Sequence, residues 1–162
     1  MIDGIDAQIL KILQSNSRTS NAEIARQVDL APSAVFERIR KLEERGVIEG
    51  YDTRVNAKAI GLPLLAFVFV RADEKPGAEA TARRVAQIPE VLEVHDVAGE
   101  DCLLVKVRCS DTEALGRLLR EQFGRIESIT STRTTIVLDS VKEISALPIE
   151  SPAGSPEEPV RV

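Results

Sequence analysis

Ser33, Ala34, Glu37, Arg38 and Lys41 fall on one side of any helix built from PSAVFERIRKLEE, opposite the apolar stripe of Val35, Ile39 and Leu42. A guanidinium at Arg38 offers a planar fork of donors that matches the two acceptors of a guanine edge or the oxygens of a phosphate. Short side chains at the start of such a helix, Ser33 and Ala34, allow close approach to base edges. Arg40, Lys41 and Arg45 are placed for phosphate, which sets affinity and register rather than sequence. Ser20, opening the preceding helix, leaves a backbone N-terminus suited to an anion. The same charges also suit a solvated helix with internal pairs such as Glu37 with Lys41, so this face alone leaves both readings open.

A second cluster lies in AGEDC. Gly99 permits a sharp turn, and Glu100 and Asp101 supply carboxylates. A small charged ligand could find an acceptor in these carboxylates and N–H donors in the backbone of this turn, which ends at Cys102, although a plain strand turn accounts for the same residues and is the commoner case. Ser131, Thr132, Arg133, Thr134 and Thr135 follow in a strand-like run whose hydroxyls can line a polar cleft, although such a run also answers to strand propensity alone. His95 is the single histidine and has no nucleophile or metal-ligand companion nearby in sequence. Cys102 and Cys109 match no zinc spacing. Seven residues apart in one expected strand, they point to opposite faces and read as reduced, mostly buried thiols.

These groups need a scaffold, and the pattern supplies one. A helix over Asp3 to Gln14, N-capped by Asp3, is followed by a capping box at Ser20-Asn21-Ala22-Glu23 and a short second helix. The third helix starts at Pro32 without a capping side chain at Ala31 and ends at Gly46. Val47-Ile48 is expected to begin a short strand. Residues 1–50 thus read as a helix-turn-helix, the layout of a reader of double-stranded DNA. Residues 51–63 read as a connecting strand or linker.

The second half changes period. Strands over Leu64 to Arg71, Val91 to Val97, Cys102 to Cys109 and Ile129 to Leu138 alternate with helices over Ala78 to Gln87 and Asp111 to Phe123, with turns at Asp73 to Gly77 and Ala98 to Asp101. The order βαββαβ over residues 64–150 is a ferredoxin-like sandwich, so the fold class is α+β. Its first strand is apolar on both parities, with Leu65, Phe67 and Phe69 on one side and Leu64, Ala66, Val68 and Val70 on the other. A sheet covered by helices on one face then leaves an apolar face for a second copy, and a symmetric homodimer is expected.

The net charge of −5 sits mainly in residues 64–150, which carry −4, whereas residues 1–50 carry only −1. Overall acidity therefore does not exclude a DNA partner. With 3% aromatics and no Trp, stacking platforms for single strands are not expected. No apolar run is long enough to span a bilayer and the first residues lack signal-peptide character, so a cytoplasmic location with no membrane partner is expected. Residues 151–162, SPAGSPEEPVRV, read as a disordered tail.

The segments DxxDxxILxxLQ, SNAEIA, RIRKLEERGVIEGY, AGEDCLLVKVR and TRTTIVLDSVKEISALPI resemble, in order, the leucine-responsive and asparagine-type (Lrp/AsnC) family of transcription regulators. The resemblance runs from Ile2 to Pro148. It implies a winged helix-turn-helix joined by a connecting strand to a βαββαβ ligand-sensing domain. It also implies dimers that assemble to octamers, and an amino acid or related metabolite as effector, with no further cofactor. The family's turn often reads Gly-x-x-Asp; in this chain the third place is Cys102, and Asp101 stands one earlier. Two other classes share the architecture. A sensing module without DNA binding is opposed by the Arg38, Arg40, Lys41 stripe, and an enzyme of the related sirohaem-decarboxylase branch finds little support in a lone His95.

Overall fold

The structure, a computed structural model, describes residues 2–73, 79–99 and 101–150. Glu100, most of the turn expected at 73–77, and the 151–162 tail lie outside the described residues. The chain divides into two compact units: one runs to Thr53 and takes in the residues from Glu143 on, the other spans Arg54–Lys142.

In the first unit, α1 (Gly4–Ser15), α2 (Asn21–Gln27) and α3 (Pro32–Glu44) pack around Ile9, Ile24, Ala25, Val28 and Val35. With Ile5, Ile12, Leu13 and Ile39 partly buried beside them, steps of three and four residues put these side chains on one face of each helix. The reciprocal capping box stands at α1 rather than α2. Asp6 N donates to Asp3 Oδ1 (2.8 Å) and Asp3 N to Asp6 Oδ2 (3.2 Å). At α2 only the Ser20 hydroxyl caps, accepting from Glu23 N at 3.2 Å, because the Glu23 carboxylate turns to Arg26 and Gln27. Ala31 makes no side-chain cap and Pro32 opens α3, as the sequence suggests.

No strand forms at Val47-Ile48. Gly46, at φ 66°, ends α3, and the amides of both residues donate to the Leu42 carbonyl, at 2.8 and 3.2 Å. Amides used to close a helix end are unavailable to a ladder. Residues 47–63 contain no strand. Beyond the sheet, Leu147 rejoins α1: its amide donates to Gln14 Oε1 (2.6 Å) and its carbonyl accepts from Gln14 Nε2 (3.1 Å).

The second unit has the order β1 (Leu64–Ala72), α4 (Ala80–Val85), β2 (Val91–Asp96), β3 (Leu103–Cys109), α5 (Thr112–Glu121), a single 3-10 turn at Phe123–Arg125, and β4 (Ile129–Val137). Its antiparallel sheet runs β2-β3-β1-β4, the ferredoxin-like order. Asp111 caps α5 by accepting from Ala114 N at 2.7 Å. Ala66, Val68 and Val70 meet Leu103, Val105, Val107 and Cys109 on the core face, with Val85, Leu115, Leu118 and Phe123 packed over them. Phe67 and Phe69, on the opposite parity, are half-buried, and Leu92 beside the β2 irregularity is exposed.

Both cysteines are free thiols. Cys109 is buried in the core as expected. Cys102 falls one residue before β3 and also packs against the core cluster, so the two do not face opposite sides. Strand alternation does not bind a residue that precedes the regular ladder.

Candidate functional site

Of the expected DNA-facing residues on α3, Ser33, Glu37, Arg40 and Lys41 are exposed and Ala34 is half-buried, and Arg45 is exposed just past the helix end. Arg40 pairs with Glu37 (2.8 Å) and Glu44 (2.9 Å), and the hydrogen bond it donates to Glu37 leads the causes that raise its pKa. Arg38 is placed differently from an outward-facing reader. Its Nη1 donates to Asp3 Oδ2 and Asp6 Oδ1, each at 2.7 Å, and about a third of its side chain is exposed. The bond to Asp3 leads the causes that raise the Arg38 pKa. On Asp3 the backbone amide of Asp6 leads those that hold the carboxyl below its ordinary value. Sequence reasoning gave Arg38 a role but missed its partners, although an acid-x-x-acid pair at a helix start is the signature of a cap.

Phe36, more than half exposed, lines a groove with Leu13, Ile39 and Tyr51. The Tyr51 hydroxyl donates to Glu43 Oε1 at 2.9 Å. Desolvation of the phenol, followed by the Glu43 carboxylate, pushes its pKa up to about 12. Tyr51 is the only tyrosine and the chain has no Trp, so ultraviolet titration reads this one phenol. We expect a midpoint near 12 in wild type and a lower one in Glu43→Gln; a wild-type midpoint at the ordinary value of about 10 refutes the contact. The sign follows for stability. A phenol whose folded pKa is raised contributes fully below its unfolded value, and the contribution is lost as pH rises from there through about 12.

In the second unit the turn before β3 is closed by Val97 N donating to Cys102 O at 3.0 Å, and Gly99 sits at φ 151°, where a side chain is strained. Asp101, about one-fifth exposed, accepts from Arg133 Nη2 at 2.9 Å. The Arg133 guanidinium also lies 4.0 Å above the Phe69 ring. Asp101, Arg133 and Phe69 thus meet at one end of the helix-free face.

Cys102 is not directed at that group. Its amide donates to the Val70 carbonyl at 2.8 Å, and its sulfur lies 3.5 Å from the Ala72 amide. The threonines are divided rather than gathered. Thr135 pairs with Phe67 on the helix-free face, whereas Thr132 and Thr134 pair with Val70 and Val68 on the core side. A two-residue period cannot put 132, 134 and 135 on one face. Arg133 is the group whose charge the sequence reading left unused. Its parity with Thr135 and its place opposite Phe69 are the signals that mark it.

Two family models match: a winged helix-turn-helix DNA-binding model over residues 2–49, and the Lrp/AsnC ligand binding domain over residues 65–147. The chain belongs to the Lrp/AsnC family. Among similar proteins, an HTH-type transcriptional regulator, FL11, of Pyrococcus horikoshii is 37% identical over 149 residues, covering 92% of this chain and 97% of the relative. The leucine-responsive regulatory protein of Escherichia coli is 35% identical over 154 residues, covering 93% of each. A transcriptional regulator of Neisseria meningitidis, solved as a complex with L-methionine, superposes with a TM-score of 0.86 at 28% identity, over 91% of this chain and 97% of that one. This Lrp/AsnC chain is a DNA-binding transcriptional regulator and not an enzyme. No helix among the described residues is long and apolar enough to cross a membrane.

Proposed function

We propose that the regulator responds to a free α-amino acid bound at the Gly99–Cys102 turn. The observation that carries this reading is the Asp101–Arg133 pair over Phe69, which presents one carboxylate and one guanidinium within 2.9 Å of each other. A zwitterion can exchange with such a pair, its ammonium replacing Arg133 on Asp101 and its carboxylate replacing Asp101 on Arg133. Support comes from the Neisseria neighbour solved with L-methionine. Gly99 shapes the turn, and Thr135 shares the face of Arg133 two residues along β4; Thr132, Thr134 and Cys102 contribute to its support from behind.

In the same proposal α3 enters the major groove. Ser33, Ala34 and Glu37 meet base edges, Arg40, Lys41 and Arg45 meet phosphates, and the α2 start at Ser20 approaches the backbone. Residues 1–50 act as reader and 64–150 as sensor, joined by 51–63. The helix-free face with Phe67 and Phe69 joins two copies, dimers assemble to octamers in the cytoplasm, and effector binding shifts assembly and with it the spacing of reading heads.

The test is a thermal-shift screen of the full chain against the twenty amino acids, followed by light scattering and DNA binding with each stabilising compound. At least one amino acid is expected to raise Tm and to change either assembly or DNA affinity. A screen in which none stabilises the chain sinks the effector proposal, and a monomeric mass at micromolar concentration sinks the assembly proposal.

A further inference from the structure

We propose that Arg38 is a positioning residue of the reading head, locked by the two carboxylates that cap α1, and that it does not read a base. This rests on the reading of α3 as the groove helix and refines which of its residues make the contact.

The carboxylate oxygens of Asp3 and Asp6 are divided between two tasks. Asp3 Oδ1 accepts from Asp6 N and Asp3 Oδ2 from Arg38; Asp6 Oδ2 accepts from Asp3 N and Asp6 Oδ1 from Arg38. The first turn of α1 and the seat of α3 are therefore built by the same two side chains. Both bonds to Arg38 come from Nη1, which has two hydrogens, so that amino group is fully used. The end-on fork of Nη1 and Nη2 is thereby closed to a guanine edge, and Arg38 keeps only its Nε–Nη2 edge, whose direction is set by the lock on α1. Leaving the lock would also strand Asp6, whose side chain is only one-tenth exposed, without its cation. The arrangement fixes α3 against α1 at Arg38, one turn along from Ala34, where the helix start must approach DNA within hydrogen-bond reach.

The opposed readings differ in sign for one variant. If Arg38 contacts DNA, Asp6→Asn weakens its restraint, removes a negative charge, and leaves affinity unchanged or higher. If Arg38 positions α3, Asp6→Asn loses affinity as Arg38→Gln does. The measurement is fluorescence anisotropy of the full chain on a duplex enriched from a random library by the wild-type protein. Wild type, Asp6→Asn, Arg38→Gln and the double variant are compared at several salt concentrations, with folding checked by circular dichroism.

We expect each single variant to bind about tenfold or more weakly, the scale of a lost charge-assisted bond. The double variant should be no weaker than the worse single one, and the salt slope should not change, because no phosphate contact is lost. Wild-type affinity in Asp6→Asn alongside a loss in Arg38→Gln, or a slope reduced by about one in Arg38→Gln, overturns the assignment.

A DNA-free measurement keeps the two ideas separate. Asparagine still caps a helix, so Asp3→Asn retains α1 while removing one charge from the lock. Its α3 amides should exchange hydrogen faster than those of wild type around Arg38. Unchanged exchange there overturns the lock whatever the DNA result, whereas failure of wild type to enrich any sequence counts against α3 as reader and leaves the exchange result to decide the lock.

Discussion

Val35→Asp is expected to abolish DNA binding while the βαββαβ unit remains folded. Val35 has no exposed surface and packs with Ile9, Ile24, Ala25 and Val28 in the buried centre of the three-helix unit. A carboxylate there either stays ionised without a partner or binds a proton and still lacks hydrogen bonds. Either outcome costs about 4 kcal/mol or more, comparable to the entire stability of so small a unit. The other unit has its own core, built on Val68, Val105, Leu118 and Phe123, and shares none of those side chains. The variant should therefore lose helical circular dichroism and all operator affinity, yet keep slow amide exchange in β1 and β3. Retained sequence-specific binding, or exchange in β1 and β3 as fast as in the helices, contradicts this division.

The parts that follow from periodicity were readable before any coordinates. The Val35, Ile39, Leu42 stripe locates α3, and the switch to alternating strands locates a sheet whose order follows from βαββαβ. What was not readable depends on which of several possible partners each group takes, near or far in sequence. Arg38 lies 35 residues from Asp3 and 32 from Asp6, and no local pattern pairs them. Val47 and Ile48 have strand-type side chains, but Gly46 turns their amides back onto Leu42, and hydrogen bonding prevails over propensity. Thr132, Thr134 and Thr135 look like one polar strip in a string of letters. Pairing with Val70, Val68 and Phe67 separates them by face. Capping moved for the same kind of reason. Ser20 and Glu23 have the right spacing, yet Glu23 finds nearer cations and amides on its own helix.

The effector turn yields the second large expectation: Asp101→Asn should weaken amino-acid binding by about 10- to 100-fold, the scale of about 1.5–3 kcal/mol for a hydrogen bond to a charged group. In the free protein the Asp101–Arg133 pair has its arginine mostly exposed, and an exposed pair contributes only about 0–1 kcal/mol, so separating it costs little. An incoming ammonium meets a carboxylate only one-fifth exposed, in a drier setting than the arginine head occupies. The carboxylate should therefore matter more to the ligand than to the fold. Asp101→Asn is expected to melt close to wild type but to need far more ligand for the same thermal shift. The α-hydroxy acid analogue, which lacks the ammonium, separates this from a general disturbance of the turn. It should bind wild type poorly, and Asp101→Asn should lower its affinity far less than that of the amino acid. Arg133→Ala should show the converse preference, losing most against ligands that keep the carboxylate. Equal losses for amino and hydroxy acids in Asp101→Asn place the ammonium elsewhere.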